Sequence, residues 1–130
     1  MPAYLIANGP MQTTAAFAMV TTGTAIKTML QVVPNAAVSA KVMEWGISFD
    51  GSAAAAPGKV ELIETDVGAT ITQTVTSGIT KWDAMAISGG DPVANLILCS
   101  STTQTGYSAS AEGTITAVRN LSAPQFLAPT

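Results

Sequence analysis

The sequence predicts an all-β fold: a single-domain antiparallel β-sandwich, jelly-roll-like, with extended N- and C-terminal arms over residues 1–11 and 120–130. Three observations predict it. Short stretches alternate apolar and polar residues with a period of two. Turn-forming clusters of Gly, Pro, Asn and Ser interrupt them every ten or so residues. No segment carries the apolar period of a long amphipathic helix. A chain of 130 residues fits one domain and buries about two-thirds of its unfolded surface, enough for a core without disulfides or metals.

The strongest alternation is Met43, Trp45, Ile47 and Phe49, with Glu44, Gly46, Ser48 and Asp50 between them. It predicts a strand over residues 41–50 that gathers the chain's main aromatic cluster on one face. Val38, Ala40 and Val42 run in the opposite phase, so a β-bulge is expected near Val42–Met43. Val60 to Ile63 supplies the antiparallel partner across the connector 51–58. The four alanines Ala53, Ala54, Ala55 and Ala56 fit either a local helical turn or a contact with a neighbouring subunit.

Taken from the start, Tyr4-Leu5-Ile6 is an apolar patch in the first arm, and Asn8-Gly9-Pro10 ends it as a turn. Residues 12–22 read as a strand with Ala15, Phe17 and Met19 on one face, and residues 26–33 as the next, closed by Pro34-Asn35. Residues 59–66 and 69–76 form a pair. In the second, Thr70, Thr72, Thr74 and Thr76 line one face and Ile71 and Val75 the other, the texture of a half-exposed strand or of one meeting another subunit. The pattern dissolves over residues 77–93, with a helical turn at Trp82–Ala86. Residues 96–100 read as a buried strand and 111–119 as another. The final stretch carries Pro124 and Pro129 around Phe126-Leu127, so it is expected as an extended tail lying in a groove. The expected core is Phe17, Trp45, Ile47, Phe49, Leu62, Leu98 and Ile115.

Only 10% of residues are charged, against about 25% in ordinary soluble domains. Uncharged Thr, Ser, Gln and Asn fill the surface positions instead, and these cost far less to desolvate than lysine. Such an exterior suits a subunit covered by neighbours. The net charge is −3 and the five basic residues stand singly, which excludes a phosphate-tracking nucleic-acid stripe and a polybasic membrane patch. No basic-then-apolar leader opens the chain and no apolar run reaches a membrane span, so a soluble product made in the cytoplasm is expected.

No catalytic constellation is present. Histidine is absent, so the lone Cys99, inside an apolar run, reads as a buried structural thiol. Glu61 and Glu64 have opposite parity and read as solvated strand charges that guard an edge. Asp83 and Asp91 sit beside turn signals. A calcium site from Asp50, Asp66 or Asp91 lacks the required spacing. Trp45 and Trp82 fit a sugar platform less well than they fit a core. No catalytic residue, metal ligand or cofactor is therefore expected.

The run Trp45–Pro57 followed by Lys59–Thr65, the opening Met1-Pro2-Ala3-Tyr4 and the segment Gly106–Ile115 resemble small capsid decoration proteins of tailed bacteriophages, also called cement or minor capsid proteins. The resemblance covers most of the chain and rests on one long string and overall texture. It implies a sandwich or jelly roll on the outer capsid surface of a virion, made in the host cytoplasm and bound to the major capsid protein and to its own copies in a homo-oligomer such as a trimer. Nucleic acid and membrane are not implied partners. Tyr4, Leu5, Ile6, Ala53–Ala56, Phe126 and Leu127 are the expected contact residues. A carbohydrate- or receptor-binding module of a tail fibre and a self-assembling sheath subunit are the alternatives. A hydrolase ranks below both for want of a nucleophile–base pair.

Overall fold

The computed structural model describes residues 3–9, 26–48, 58–75, 79–82, 97–112 and 117–126. Among them the regular elements are all strands: β1 (Tyr4–Ile6), β2 (Leu30–Gln31), β3 (Gly58–Lys59), β4 (Leu62–Thr65), β5 (Thr70–Gln73), β6 (Ile79–Lys81), β7 (Gly106–Ala111), β8 (Ala117–Ser122) and β9 (Gln125–Phe126). Every pairing between them is antiparallel. The fold is all-β. The chain divides into two compact units: Met1–Lys41 with Gly68–Gly113, and Val42–Val67 with Thr114–Thr130.

In the first unit, β2, β7 and β5 form a three-stranded sheet with β7 in the centre. Leu30, Tyr107 and Thr72 make one row across it, and Gln31, Gly106 and Gln73 the next. Gly106 is glycine for a steric reason. A Cβ there would overlap the Ile71 side chain and the Thr72 carbonyl oxygen. Further along, β5 advances from Thr72 to Thr70 while β7 advances from Tyr107 to Ala111. The surplus is a bulge, and Ser108 within it takes a left-handed backbone with φ 51°. Its amide and that of Ala109 turn to the carbonyls of Met29 (3.1 Å) and Thr28 (3.0 Å). Glu112 secures the same edge, accepting from the Thr28 amide (2.7 Å) and hydroxyl (2.6 Å).

The segment from residue 98 to 105 is pinned over this sheet by amide side chains. Gln31 Nε2 donates to the carbonyls of Thr103 (3.0 Å) and Gln104 (2.7 Å), and its Oε1 accepts from the Ala69 amide (2.8 Å). Gln73 donates to the Cys99 carbonyl. Thr105 is fully buried, and its hydroxyl accepts from the Val33 amide at 2.8 Å. A buried hydroxyl with such a partner avoids the desolvation penalty of an orphan.

β1 and β6 form a separate two-stranded ladder in register Tyr4↔Lys81, Leu5↔Thr80 and Ile6↔Ile79. Tyr4 and Ile6 pack with Cys99 against the buried pair Ile79 and Ile97. Ala69 and Ile71 are the other buried apolar side chains among the described residues. In the second unit, β4 pairs with β8 and β3 with β9.

Several expectations are corrected here. Residues 41–48 form no strand, so neither the proposed hairpin to residues 60–63 nor its bulge is present; β3 and β4 pair with the distant β9 and β8 instead. Trp45 and Ile47 are half-buried, as are Leu62 and Leu98. The buried side chains among the described residues are mainly β-branched, Ile71 and Ile79 from strands and Thr74, Ile97 and Thr105 from the segments beside them. Residues 4–6 are a paired strand where an arm was expected, and within the expected tail residues 120–122 belong to β8 and 125–126 to β9. β6 falls in the stretch whose pattern dissolved, and β7 lies ahead of the strand expected at 111–119. The threonine face holds at Thr70 and Thr72, with Ile71 buried opposite. It reverses once β5 ends: Thr74 is buried and Val75 exposed. Phe17, Phe49 and Ile115 lie outside the described residues.

Candidate interaction surface

Side chains alternate across a ladder, and directly paired residues share a face. In the β1–β6 ladder, Tyr4, Ile6, Ile79 and Lys81 therefore share the core side, and Leu5 and Thr80 the outer side. Trp82 continues β6 by one residue, and its amide donates to the Ala3 carbonyl at 2.8 Å. That bond extends the ladder and places the indole on the outer side, diagonal to Leu5. Burial agrees: Leu5 is 53% exposed and Trp82 72% exposed, while Tyr4 and Ile6 are half-buried.

Leu5 and Trp82 are two of the exposed large apolar side chains among the described residues, which also include Ile26, Val42 and Met43. Covering both side chains fully would contribute on the order of 5 kcal/mol before ordering costs. Of the three contact residues expected from the first arm, only Leu5 faces outward; Tyr4 and Ile6 are spent on the core. Trp82, expected in a core, is exposed. Its signal was parity with Thr80, which only the undetected β6 strand could reveal. Ala53–Ala56 and Leu127 lie outside the described residues, and Phe126 is placed only by its backbone in β9.

The carboxylates of β4 and its approach are engaged across the strands of the second unit. Arg119 Nε donates to Glu64 Oε2 at 2.7 Å, and a second guanidinium nitrogen converges on the same oxygen. Lys59 Nζ lies 2.6 Å from Glu61 Oε1, and Asn120 Nδ2 donates to that oxygen at 2.9 Å. The hydrogen bond from Lys59 holds the Glu61 carboxyl below its ordinary range; desolvation, the next largest influence, opposes it, and the Lys59 charge and the Asn120 amide add smaller lowering contributions. These partners give both exposed glutamates a structural role, Glu64 within β4 and Glu61 just ahead of it. Cys99 is half-buried, its Sγ donates to the Ile97 carbonyl at 3.6 Å, and burial pushes its thiol up. Ser108 combines a left-handed backbone with a buried hydroxyl that has no hydrogen-bond partner. No group of three or more potential metal ligands occurs among the described residues; Asp50, Asp83 and Asp91 lie outside them.

Compared with family models, with curated proteins and with solved structures, the chain finds no match in any of the three.

Proposed function

We propose that this chain is a capsid decoration protein of a tailed bacteriophage: a non-enzymatic virion subunit that binds the outer shell, contacts the major capsid protein and its own copies, and stabilises capsomer contacts. A sandwich or jelly-roll arrangement of the strands belongs to this reading. The observation that carries it is Trp82 beside Leu5 on one ladder face of a chain with only 10% charged residues. A tryptophan displayed with an aliphatic neighbour is the usual make-up of a binding hot spot, and a charge-poor surround is cheap to cover. Repeated over a shell, modest contacts of this kind add through avidity.

The test is co-sedimentation with shells assembled from the major capsid protein of the same genome. Saturable binding at a fixed ratio to capsomers is expected, weakened at least tenfold by Trp82→Ala. Shells that leave the chain in the supernatant at every concentration refute the reading.

The exposed indole also favours a second reading, a carbohydrate-binding module of a tail fibre. Aromatic faces stack on sugar rings, and Trp82 offers one to solvent. Specific retention on a glycan array, abolished by Trp82→Ala, would select this reading over the first.

A further inference from the structure

We propose that the Lys41–Val42 peptide bond is a processing site, cut by an endopeptidase that cleaves after basic residues, and that the two fragments stay together as one folded protein. This goes beyond capsid binding and does not depend on it. Water is the co-reactant. Its oxygen joins the Lys41 carbonyl carbon, the carbon–nitrogen bond breaks, and its two protons pass to the Val42 nitrogen, leaving a carboxylate and an ammonium group.

An endopeptidase takes its substrate as an extended strand held through main-chain hydrogen bonds, so a bond already inside a ladder must first open. The chain has five basic residues, Lys27, Lys41, Lys59, Lys81 and Arg119, and none is followed by proline. The sequence therefore leaves all of these bonds available, and the fold chooses among them. Lys59, Lys81 and Arg119 lie in β3, β6 and β8. The residue after each is held as well: the Val60 amide donates to the Pro124 carbonyl (3.2 Å), the Trp82 amide to the Ala3 carbonyl (2.8 Å), and Asn120 stands opposite Ile63. Lys27 is half-buried, and Thr28 beyond it gives its amide to Glu112 while its carbonyl accepts from the Ala109 amide. Lys41 differs. Ser39 to Glu44, three residues on either side of the bond, are all exposed and lie in no strand, bridge or turn. Val42 is 55% and Met43 81% exposed. The nearby Asn35 turn closes with the Val38 amide on the Asn35 carbonyl (2.9 Å), and no backbone hydrogen bond to another described residue follows it before Ser48. Exposed, irregular segments of this kind are where nicking concentrates.

The cut severs residues 1–41 from 42–130 without touching what joins them. Residues 1–41 belong wholly to the first unit. Within it β1 pairs with β6 and β2 with β7, and Tyr4 and Ile6 pack against the buried Ile79 and Ile97. Gln31 reaches the Ala69 amide and the carbonyls of Thr103 and Gln104. The Val33 carbonyl accepts from the Leu98 amide (3.0 Å), and its amide donates to the Thr105 hydroxyl (2.8 Å). Every one of these partners lies beyond residue 41, so the short fragment keeps them after cleavage. Separating it would uncover Ile79, which is only 1% exposed, and leave the paired amides of β6 and β7 without their carbonyls.

The experiment is a time course of the full native chain with dilute trypsin, read by intact mass, with the urea-unfolded chain as reference. The unfolded chain should be cut at all of its basic residues. The native chain should first accumulate fragments 1–41 and 42–130, which co-elute in size exclusion at the position of the uncut protein. Lys41→Gln should slow the first cleavage about tenfold or more, because the remaining sites wait for local opening, and should leave the melting temperature unchanged. Lys41→Arg should restore cleavage. A first cut after any of the other four basic residues overturns the site, as does digestion with no accumulating pair, or a Lys41→Gln chain cut as fast as the parent. A native chain left intact by trypsin that cuts the unfolded one overturns it too. Fragments 1–41 and 42–130 that elute apart overturn the claim that they remain one protein.

Discussion

Replacing Gly106 by alanine probes the packing between β5 and β7 at its tightest point. The added methyl would meet the Ile71 Cδ1 atom and the Thr72 carbonyl oxygen at distances real Cβ atoms do not adopt, and would crowd Ile71 Cγ1 as well. Ile71 is itself buried and cannot swing into solvent, and Thr72 contributes backbone from the paired strand. Relief therefore requires the strands to separate. Overpacking of a closed site costs about 1–3 kcal/mol, and an obstruction by backbone belongs at the upper end, about 3 kcal/mol. For a domain of this size that is a large share of the stability, and it should lower the melting temperature by roughly 10 °C. Urea denaturation followed by circular dichroism reads the loss as a lower midpoint with an unchanged slope. Gly46→Ala is the matched control, because a Cβ at Gly46 meets nothing within 4 Å. A Gly106→Ala protein within about 0.5 kcal/mol of the parent, or no more affected than Gly46→Ala, would refute the packing argument.

Other outcomes follow from the same geometry. Gln31→Ala removes three hydrogen bonds and orphans the buried Ala69 amide, so a loss of roughly 2–4 kcal/mol is expected, with faster hydrogen exchange at Ala69. Ser108→Gly should stabilise the fold by about 1 kcal/mol in thermal unfolding, since glycine accepts the left-handed backbone and the orphan hydroxyl disappears; a clear loss would contradict the assigned bulge. Glu61 has a lowered carboxyl pKa, so the stability it adds is present above the unfolded value and is lost as pH falls through the folded one. The advantage of the parent over Lys59→Ala should accordingly shrink on acidification, and an advantage that grows in acid would reverse the sign. Arg119→Ala should change stability by less than about 1 kcal/mol, because its ion pair with Glu64 is solvent-exposed.

The β character was legible in the sequence because period-two alternation is a local property. Thr70, Ile71 and Thr72 show it, with the isoleucine buried and the threonines exposed. Pairing was not legible, since it joins segments far apart: β4 meets β8, and β1 meets β6. The strongest alternating run, residues 43–49, misled for this reason. Its pattern describes a face without specifying a partner, and its described part pairs with no other strand. Strands of two or three residues, such as β2, β6 and β9, are shorter than any reliable period. Gln31 and Gln73 were invisible as fasteners because their carbonyl partners lie more than twenty residues away. At the candidate surface, Leu5 was foreseen and Trp82 was weighed only as a core or sugar-binding residue. Assigning the indole to the outer side required the register of β6.

The most direct test of the proposed role is a density map of capsid shells incubated with the chain. The account predicts added density at symmetry-fixed positions on the outer surface, with Leu5 and Trp82 covered by the shell or by a neighbouring copy. Bare shells, or bound chains whose Leu5–Trp82 face points uniformly into solvent, would contradict it.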